Sequence, residues 1–260
     1  MELAGRSAIV TGPAKGMGAA ITLALAREGA DLVLAGRDLA AIEPVAGAVA
    51  GLGRRARIVR CDVTSPAEVT AMAAEAREFG GGQIDILVNV AGGSGPLETP
   101  SWDTTPEAFD QIVELNMKGC FLTMRAVLPA MMAQRSGKIV NIGGTFGLRG
   151  RALRMAYSAS KWGLRGITKS VALEAGPYNI NVNTVCPGMV DGPRFERVCR
   201  EHATRLGITL AEARRRHAED YALRRISTGE DVANAVLFLV SERARQITGQ
   251  DIAVDGGWVI

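Results

Sequence analysis

Cysteine, histidine and aromatic residues are all scarce in this chain. Its four cysteines (Cys61, Cys120, Cys186, Cys199) form no CxxC pair and no zinc spacing. That excludes a disulfide scaffold and points to a reduced, intracellular protein. The two histidines, His202 and His217, have no ligating partner at metal spacing. No metal site is expected, and both read as surface side chains. With aromatics at only 5%, the three tryptophans and Met131-Met132 read as packing rather than as a cofactor box. No apolar run approaches the roughly 20 residues of a membrane span. The opening MELAGRSAIVTG has neither an apolar signal core nor a cleavage site, so a soluble cytoplasmic protein is expected. Charge of one sign is also short: 30 basic against 27 acidic residues leaves +3, too little and too scattered for nucleic acid as the main partner.

What is present is apolar and regular. Of 260 residues, 47% are hydrophobic and 22% charged, which supports a large core and excludes wholesale disorder. Ser7–Val10, Leu32–Ala35, Arg57–Arg60, Ile84–Val88, Lys138–Ile142 and Asn181–Val185 are short, nearly continuous apolar runs, the pattern of strands buried on both faces. Helical periods lie between them, at about 16–29, 38–52, 66–80, 105–133 and 155–176. Alternation of this kind predicts an α/β fold, a parallel sheet between two layers of helices. Another helix starts near Gly229, and Ile252–Val254 reads as a last strand. No internal boundary is visible, so residues 1–260 read as one domain. The arginine-rich stretch 191–226 lacks strand signal and follows a strand end, where ligands of such sheets bind; it is expected to be a substrate lid.

The first strand runs into Thr11-Gly12-Pro13-Ala14-Lys15-Gly16-Met17-Gly18, with a helical pattern at once behind it. Glycines let backbone approach a pyrophosphate, and the helix start offers free N–H groups and partial positive charge. Glycine spacing alone equally marks a plain tight turn; strand, glycines, helix is the context that favours phosphate. The spacing Thr-Gly-x-x-x-Gly-x-Gly resembles that of the classical short-chain dehydrogenase/reductase family. Other motifs follow in that family's order. Cys61-Asp62-Val63 is similar to its adenine-contacting aspartate segment. Asn89-Val90-Ala91-Gly92 resembles Asn-Asn-Ala-Gly, with Val90 for one asparagine. Asn116 in the long helix, Tyr157-x-x-x-Lys161 and Pro187-Gly188 complete the set. The resemblance spans essentially the whole chain. It implies a Rossmann-type doubly wound sheet in three layers. It also implies a cofactor site of Gly12, Lys15, Gly16, Met17, Gly18, Arg37, Asp62, Val63, Asn89, Ala91, Gly92, Tyr157, Lys161, Pro187, Gly188 and Val190.

At the end of the second strand, where an acidic side chain usually holds the ribose 2′-hydroxyl of NAD, stands Gly36, then Arg37. An arginine there binds a 2′-phosphate that an aspartate would repel, and Lys15 adds a second cation. Family members with this basic pair use NADP(H), the expected cofactor. Asp38 nearby, and a reading of both cations as solvated charges, keep NAD(H) open.

Tyr157 and Lys161 are four apart on a predicted helix and leave one face. A tyrosine of ordinary pKa, about 10, is a poor base at neutral pH, and a neighbouring ammonium favours its phenolate. Tyr157 is therefore expected to exchange a proton while hydride moves to or from the nicotinamide. By resemblance, Lys161 also holds the nicotinamide ribose and Asn116 completes a water-mediated relay. The family's serine, thirteen residues ahead of the tyrosine, falls on Gly144, preceded by Gly143. Losing such a donor slows reactions by about 10²–10³. Three readings stay open: Thr145 supplies the hydroxyl, the substrate or a water does, or the chain binds cofactor and turns over poorly. Retention of Asn116, Tyr157 and Lys161 favours an active enzyme. Gly192 replaces a threonine that in the family often bonds the carboxamide, so backbone or a neighbour is expected to make that contact.

Arg149, Arg151 and Arg154 fall in a loop that borders the substrate in the family. Residues 192–226 hold nine arginines and five acidic residues, a balance of +4. Clustered cations clamp anions, so a hydroxy acid, sugar acid or similar polar substrate is expected, beside Gly144, Thr145, Arg151, Arg154 and Arg194. Arg214-Arg215-Arg216 reads instead as paired with Glu212, Glu219 and Asp220 along an exposed helix. The expected activity is NADP(H)-dependent interconversion of a secondary alcohol and a ketone. The alternatives are an NAD-dependent sugar or hydroxy-acid dehydrogenase and, in another class, a cofactor-binding regulator with little turnover. Resemblance also implies a homo-oligomer, a dimer or tetramer built on the helices around 105–133 and 155–176.

Overall fold

A computed structural model describes residues 1–259. The strands are β1 (Ser7–Thr11), β2 (Asp31–Gly36), β3 (Ala56–Arg60), β4 (Ile86–Asn89), β5 (Gly137–Ile142), β6 (Ile180–Pro187) and β7 (Asp251–Val254). The helices are α1 (Gly16–Arg27), α2 (Leu39–Gly51), α3 (Pro66–Phe79), α4 (Pro106–Val113), α5 (Gly119–Gln134), α6 (Met155–Ala175), α7 (Pro193–Leu206), α8 (Leu210–Glu219) and α9 (Gly229–Val240). All strand pairs are parallel, in the order β3-β2-β1-β4-β5-β6-β7.

Side-chain alternation along the strands makes two cores. Ala8, Val10, Leu32, Leu34, Ile86, Val88 and Val140 pack with Ile21, Leu25, Val45, Val49 and Val236 of α1, α2 and α9. Ile9, Val33, Leu87, Ile139 and Val182 pack with Met72, Val127, Met131 and Ala172 of α3, α5 and α6. The three-layer Rossmann-type architecture expected from the sequence is thus present. Helix starts carry their own signals. Ser65 and Thr105 accept from the N–H three residues on, each followed by proline, and Thr228 and Asp231 cap each other reciprocally. Strand order reverses between β1 and β4, which opens a crevice at their carboxyl ends.

The structure departs from the sequence reading in four places. β4 begins at Ile86, not Ile84. The helix expected at 105–133 is interrupted by a π turn at Glu114–Lys118, where Gly119 N–H reaches back to the Glu114 carbonyl. His202 and His217 are not surface side chains: their rings meet at 5.0 Å between α7 and α8, and Phe195 lies 5.6 Å from His217. The cause is the spacing. Phe195, Cys199 and Ala203 form one stripe of α7, Ala213 faces them from α8, and the histidines border this small core. Finally, Trp102 is 85% exposed and Trp162 is exposed too, so neither is packing, whereas Met131 is fully buried.

Segment 191–226 is pinned at its base. Val190 bridges Ser227, and Asp191 N–H donates to the Ser227 carbonyl at 2.9 Å.

Candidate active site

The turn from β1 to α1 builds a narrow cradle. Gly12 (φ 67°) and Gly16 (φ 55°) hold left-handed backbone, and a Cβ on Gly18 would stand 2.1 Å from the Gly12 carbonyl oxygen. Gly16 has nothing within 4 Å of a Cβ position, so open space lies over the loop. Met17 is half-buried; Lys15, exposed, precedes the helix and has no ion-pair partner among the described residues. Thr11 Oγ1 accepts from Val90 N–H (3.0 Å) and Ala91 N–H (3.1 Å), which ties the loop after β4 to β1. Gly12 lies against Ala91, where a Cβ would meet backbone at 3.0 Å.

Just beyond β2, Arg37 Nη1 lies 3.7 Å from Asp62 Oδ2. Thr64 N–H (3.0 Å) and Oγ1 (2.8 Å) donate to the Asp62 carboxylate, and the backbone bond above all holds its pKa below the usual range. Gly36 carries no charge, and its Cβ position is 2.9 Å from the tip of Ile42. Val63 is turned into the core against Gly119, so only its main chain is available to a ligand. The Asn89 side chain is likewise committed: it donates to Asn141 Oδ1 at 2.9 Å and accepts from Thr123 Oγ1 at 2.8 Å. Uncharged backbone that can lie against phosphates, flanked by two cations, fits a dinucleotide.

Tyr157 and Lys161 leave one face of α6 as expected, with the ammonium 5.8 Å from the phenol ring centroid. Lys161 is 6% exposed and donates to the Ile142 carbonyl at 2.8 Å. An ammonium has three donors, so two stay free. Asn116, fully buried in the π turn, accepts from Gly93 N–H (2.8 Å) and donates to the Gly93 carbonyl and to Ser160 Oγ (both 3.1 Å). Ser160 in turn donates to the Tyr157 carbonyl at 2.7 Å. The π turn therefore splices α5, the loop after β4 and α6 at one point. Gly144 abuts the tyrosine, its Cβ position 3.2 Å from Tyr157 Oη. Thr145 is buried in the tight turn that follows. Gly143 is needed because Thr184 Cγ2 and Cys186 Sγ crowd its Cβ position at 2.7 and 3.0 Å.

The end of β6 continues through Pro187 and Gly188, whose Cβ position is 3.1 Å from Asp255 and Tyr221. Gly192, at φ 141°, adopts a backbone that favours glycine. Arg154 stacks on Tyr157, 4.9 Å from the ring centroid, and donates to the Ser94 carbonyl at 2.8 Å. Burial pulls its pKa down, the phenol opposes this, and Arg194 and Arg151 are close enough to add repulsion. Glu98, which pairs with Arg205, opposes that repulsion at Arg154, but no carboxylate comes within 4.0 Å of Arg151, Arg154 or Arg194 among the described residues.

Most of the positive charge of segment 191–226 is neutralised where it stands. Arg197, Arg200, Arg205, Arg214, Arg215 and Arg216 all pair with carboxylates. Arg215 and Arg216 pair with Glu212 as expected, but Arg214 takes Asp191, and Asp220 is not used. Arg205–Glu98 (2.8 Å) joins α7 to the loop after β4, across the cleft. The +4 balance of this stretch therefore overstates what a ligand meets; near Arg154, Arg194 is the cation of this stretch that remains beside Arg151.

Sequence reasoning missed an aromatic wall. Trp258 stacks on Tyr221 (5.1 Å, 12°) and lies 5.4 Å from Phe146, which meets Tyr157 edge-on at 6.2 Å. Tyr221 Oη accepts from Met189 N–H at 2.8 Å, and Arg149 lies 4.6 Å over Trp258. Only long-range packing brings these residues together. Ser160 was legible in part, three residues after Tyr157, but its bond to Asn116 was not. Among the described residues no group of three His, Cys, Asp or Glu could hold a metal, and no helix is long and apolar enough to cross a membrane.

A family model described as enoyl-(acyl carrier protein) reductase matches residues 12–259. The chain is 36% identical to a D-β-hydroxybutyrate dehydrogenase of Rhizobium meliloti, over 97% of this chain and 98% of the relative. Its fold is similar to that of an NAD⁺-bound xylitol dehydrogenase (TM-score 0.93, 29% identity, 99% and 100% covered). It is also similar to a variant actinorhodin polyketide ketoreductase with NADPH (TM-score 0.92, 32% identity, 97% of each chain). Likeness along nearly the whole length, on a sheet whose reversal point carries the glycine loop and with Tyr157 and Lys161 on α6, has one reading: the chain belongs to the classical short-chain dehydrogenase/reductase family and is a nicotinamide-dependent oxidoreductase acting on CH–OH groups.

Proposed function

We propose that the protein interconverts a secondary alcohol and a ketone with NADP(H), on a polar and acidic substrate such as a hydroxy acid or sugar acid. One observation carries this reading: Tyr157 with buried Lys161 stands among three unpaired guanidinium groups, in a crevice whose cofactor loop has Lys15 and Arg37 and no carboxylate at Gly36. The bound nicotinamide supplies the hydride acceptor or donor. Tyr157 Oη takes the carbinol proton in oxidation and returns it in reduction. Lys161 keeps positive charge beside that oxygen and has donors left for ribose hydroxyls. Asn116 fixes the loop after β4 against α6 and supports the proton path. Gly12, Gly16, Met17, Gly18, Asp62, Ala91, Gly92, Pro187, Gly188 and Val190, with backbone of Val63 and Asn89, complete the cofactor site. Arg151 and Arg194 hold the carboxylate, with Gly144 and Thr145 beside the reacting group. A relative named for a hydroxy acid is consistent with this, and a neighbour named for xylitol keeps neutral polyols as the competing class. The NAD⁺ bound by that neighbour makes NAD(H) the competing cofactor.

The test is a screen of hydroxy acids, sugar acids and polyols with both cofactors. Tyr157→Phe is expected to lose turnover by about 10²–10⁴ while still binding NADPH. Alanine at Arg151, Arg154 and Arg194 together is expected to raise KM for acids at least about tenfold, the loss of one charge-assisted contact. An unchanged KM would remove the acidic substrate. We also propose a reduced, cytoplasmic homo-oligomer. Val113, Met117, Phe121 and Ile167 line a groove on α4, α5 and α6 where a second copy would seat.

A further inference from the structure

Gly144 puts no side chain beside Tyr157 Oη, yet its backbone does not require glycine. Its φ of 161° is extended, and a Cβ would meet only Tyr157 Oη, at 3.2 Å. The space beside the reacting oxygen is therefore open by choice of side chain, and another group can serve it. Arg154 is unlike the two arginines near it. It immediately precedes α6, three residues ahead of Tyr157. Nη2 is anchored on the Ser94 carbonyl at 2.8 Å, and Cζ rests 4.9 Å from the tyrosine ring centroid. Its Nε is buried with no hydrogen-bond partner among the described residues. A guanidinium has five N–H donors; with Nη2 on Ser94 and Nε enclosed, the Nη1 donors are the ones left for a ligand oxygen. Arg151 lies over Phe146 instead, 5.9 Å from that ring.

We infer that Arg154 takes over the missing serine's work, donating hydrogen bonds to the substrate oxygen that is the ketone carbonyl in one direction and the alcohol in the other. The inference rests on the reading of Tyr157 as the proton-exchanging group. In reduction, hydride from the reduced cofactor adds to the carbonyl carbon and the C=O π pair moves onto oxygen. Tyr157 Oη–H then delivers the proton. Arg154 keeps its own protons throughout and only stabilises the negative charge that develops, as preorganised donors do. Arg151 and Arg194 remain for a carboxylate farther out.

The test is a four-variant series: R154A, R154Q, G144S and G144S/R154A. Each is assayed on the alcohol that the wild-type enzyme turns over fastest and on the nearest counterpart without a carboxylate. NADPH affinity is followed by fluorescence, and fold by thermal melting. R154A is expected to lower kcat by about 10²–10³ on both substrates with NADPH affinity within about twofold, as for a lost oxyanion donor. G144S/R154A is expected to regain at least about tenfold of that loss. If R154A does not fold, R154Q, which keeps a donor for Ser94, is expected to show the same fall, and G144S/R154Q, added to the series in that case, the same rescue. The proposal is overturned if kcat survives and only KM for acids rises, or if adding G144S restores nothing. Wild-type protein that turns over no alcohol would instead sink the Tyr157 reading itself.

Discussion

Replacing Arg37 by alanine asks whether the cofactor preference sits in one side chain. Arg37 is 70% exposed and its contact with Asp62, at 3.7 Å, is longer than a hydrogen bond. Such a pair contributes about 0–1 kcal/mol, so little opposes its release to a ligand. A guanidinium on a phosphate is charge-assisted and bidentate, about 1.5–3 kcal/mol where water is excluded. Discounted for exposure, roughly 1–2 kcal/mol remains, which is about a 5- to 30-fold change in Kd. Arg37→Ala should therefore weaken NADPH by that factor and leave NADH, which lacks the 2′-phosphate, within about twofold. Adding Gly36→Asp should turn the preference over, because a carboxylate there repels a 2′-phosphate, and its Cβ has only the flexible end of Ile42 to displace, at 2.9 Å. The assay is a side-by-side fluorescence titration at about 0.1 M and 1 M salt, where the screening length falls from about 10 to 3 Å and the NADPH advantage should shrink. Equal losses for the two cofactors, or none, would refute the phosphate role of Arg37.

Gly18→Ala places a Cβ 2.1 Å from the Gly12 carbonyl oxygen, backbone that cannot step aside. It should lower stability by about 1–3 kcal/mol and weaken both cofactors, read by melting and by titration. Gly143→Ala meets Thr184 Cγ2 at 2.7 Å, so a similar loss is expected, relieved in part when Thr184→Ser removes that methyl. The His202–His217 contact should make stability depend on pH. Burial, then His202, lowers the His217 pKa below its ordinary value of 6.5, so the unfolded chain binds the proton more readily. Stability should be full above about pH 6.5 and fall as pH drops through the lowered value, and His217→Phe should flatten that slope in melts between about pH 8 and 5. Phe121→Glu, in the groove on α5, should shift sedimentation toward monomer if that face joins two copies.

The sheet and its helices were legible because buried parallel strands write themselves as short apolar runs, as Ala8–Val10 and Leu32–Ala35 do. The glycine loop and Tyr157–Lys161 were legible because both are local: one is a turn, the other a single helical step. The π turn was hidden, since nothing in Glu114–Lys118 departs from helical composition. The two histidines were misread because a polar side chain on the edge of an apolar stripe has no partner until α7 meets α8. The charge of the lid was misjudged for the same reason: Asp191 and Glu98 claim arginines far along the chain.

By itself the sequence determined the fold class, the glycine loop and the spacing of Tyr157 and Lys161, all properties of segments a few residues long. The tertiary structure alone decided which cations are left without an ion pair among the described residues, that Trp258 and Tyr221 stack beside Phe146, and that Arg154 lies on Tyr157. Those are outcomes of contacts between segments tens to hundreds of residues apart, where burial and competing partners, not local pattern, set what a side chain can do.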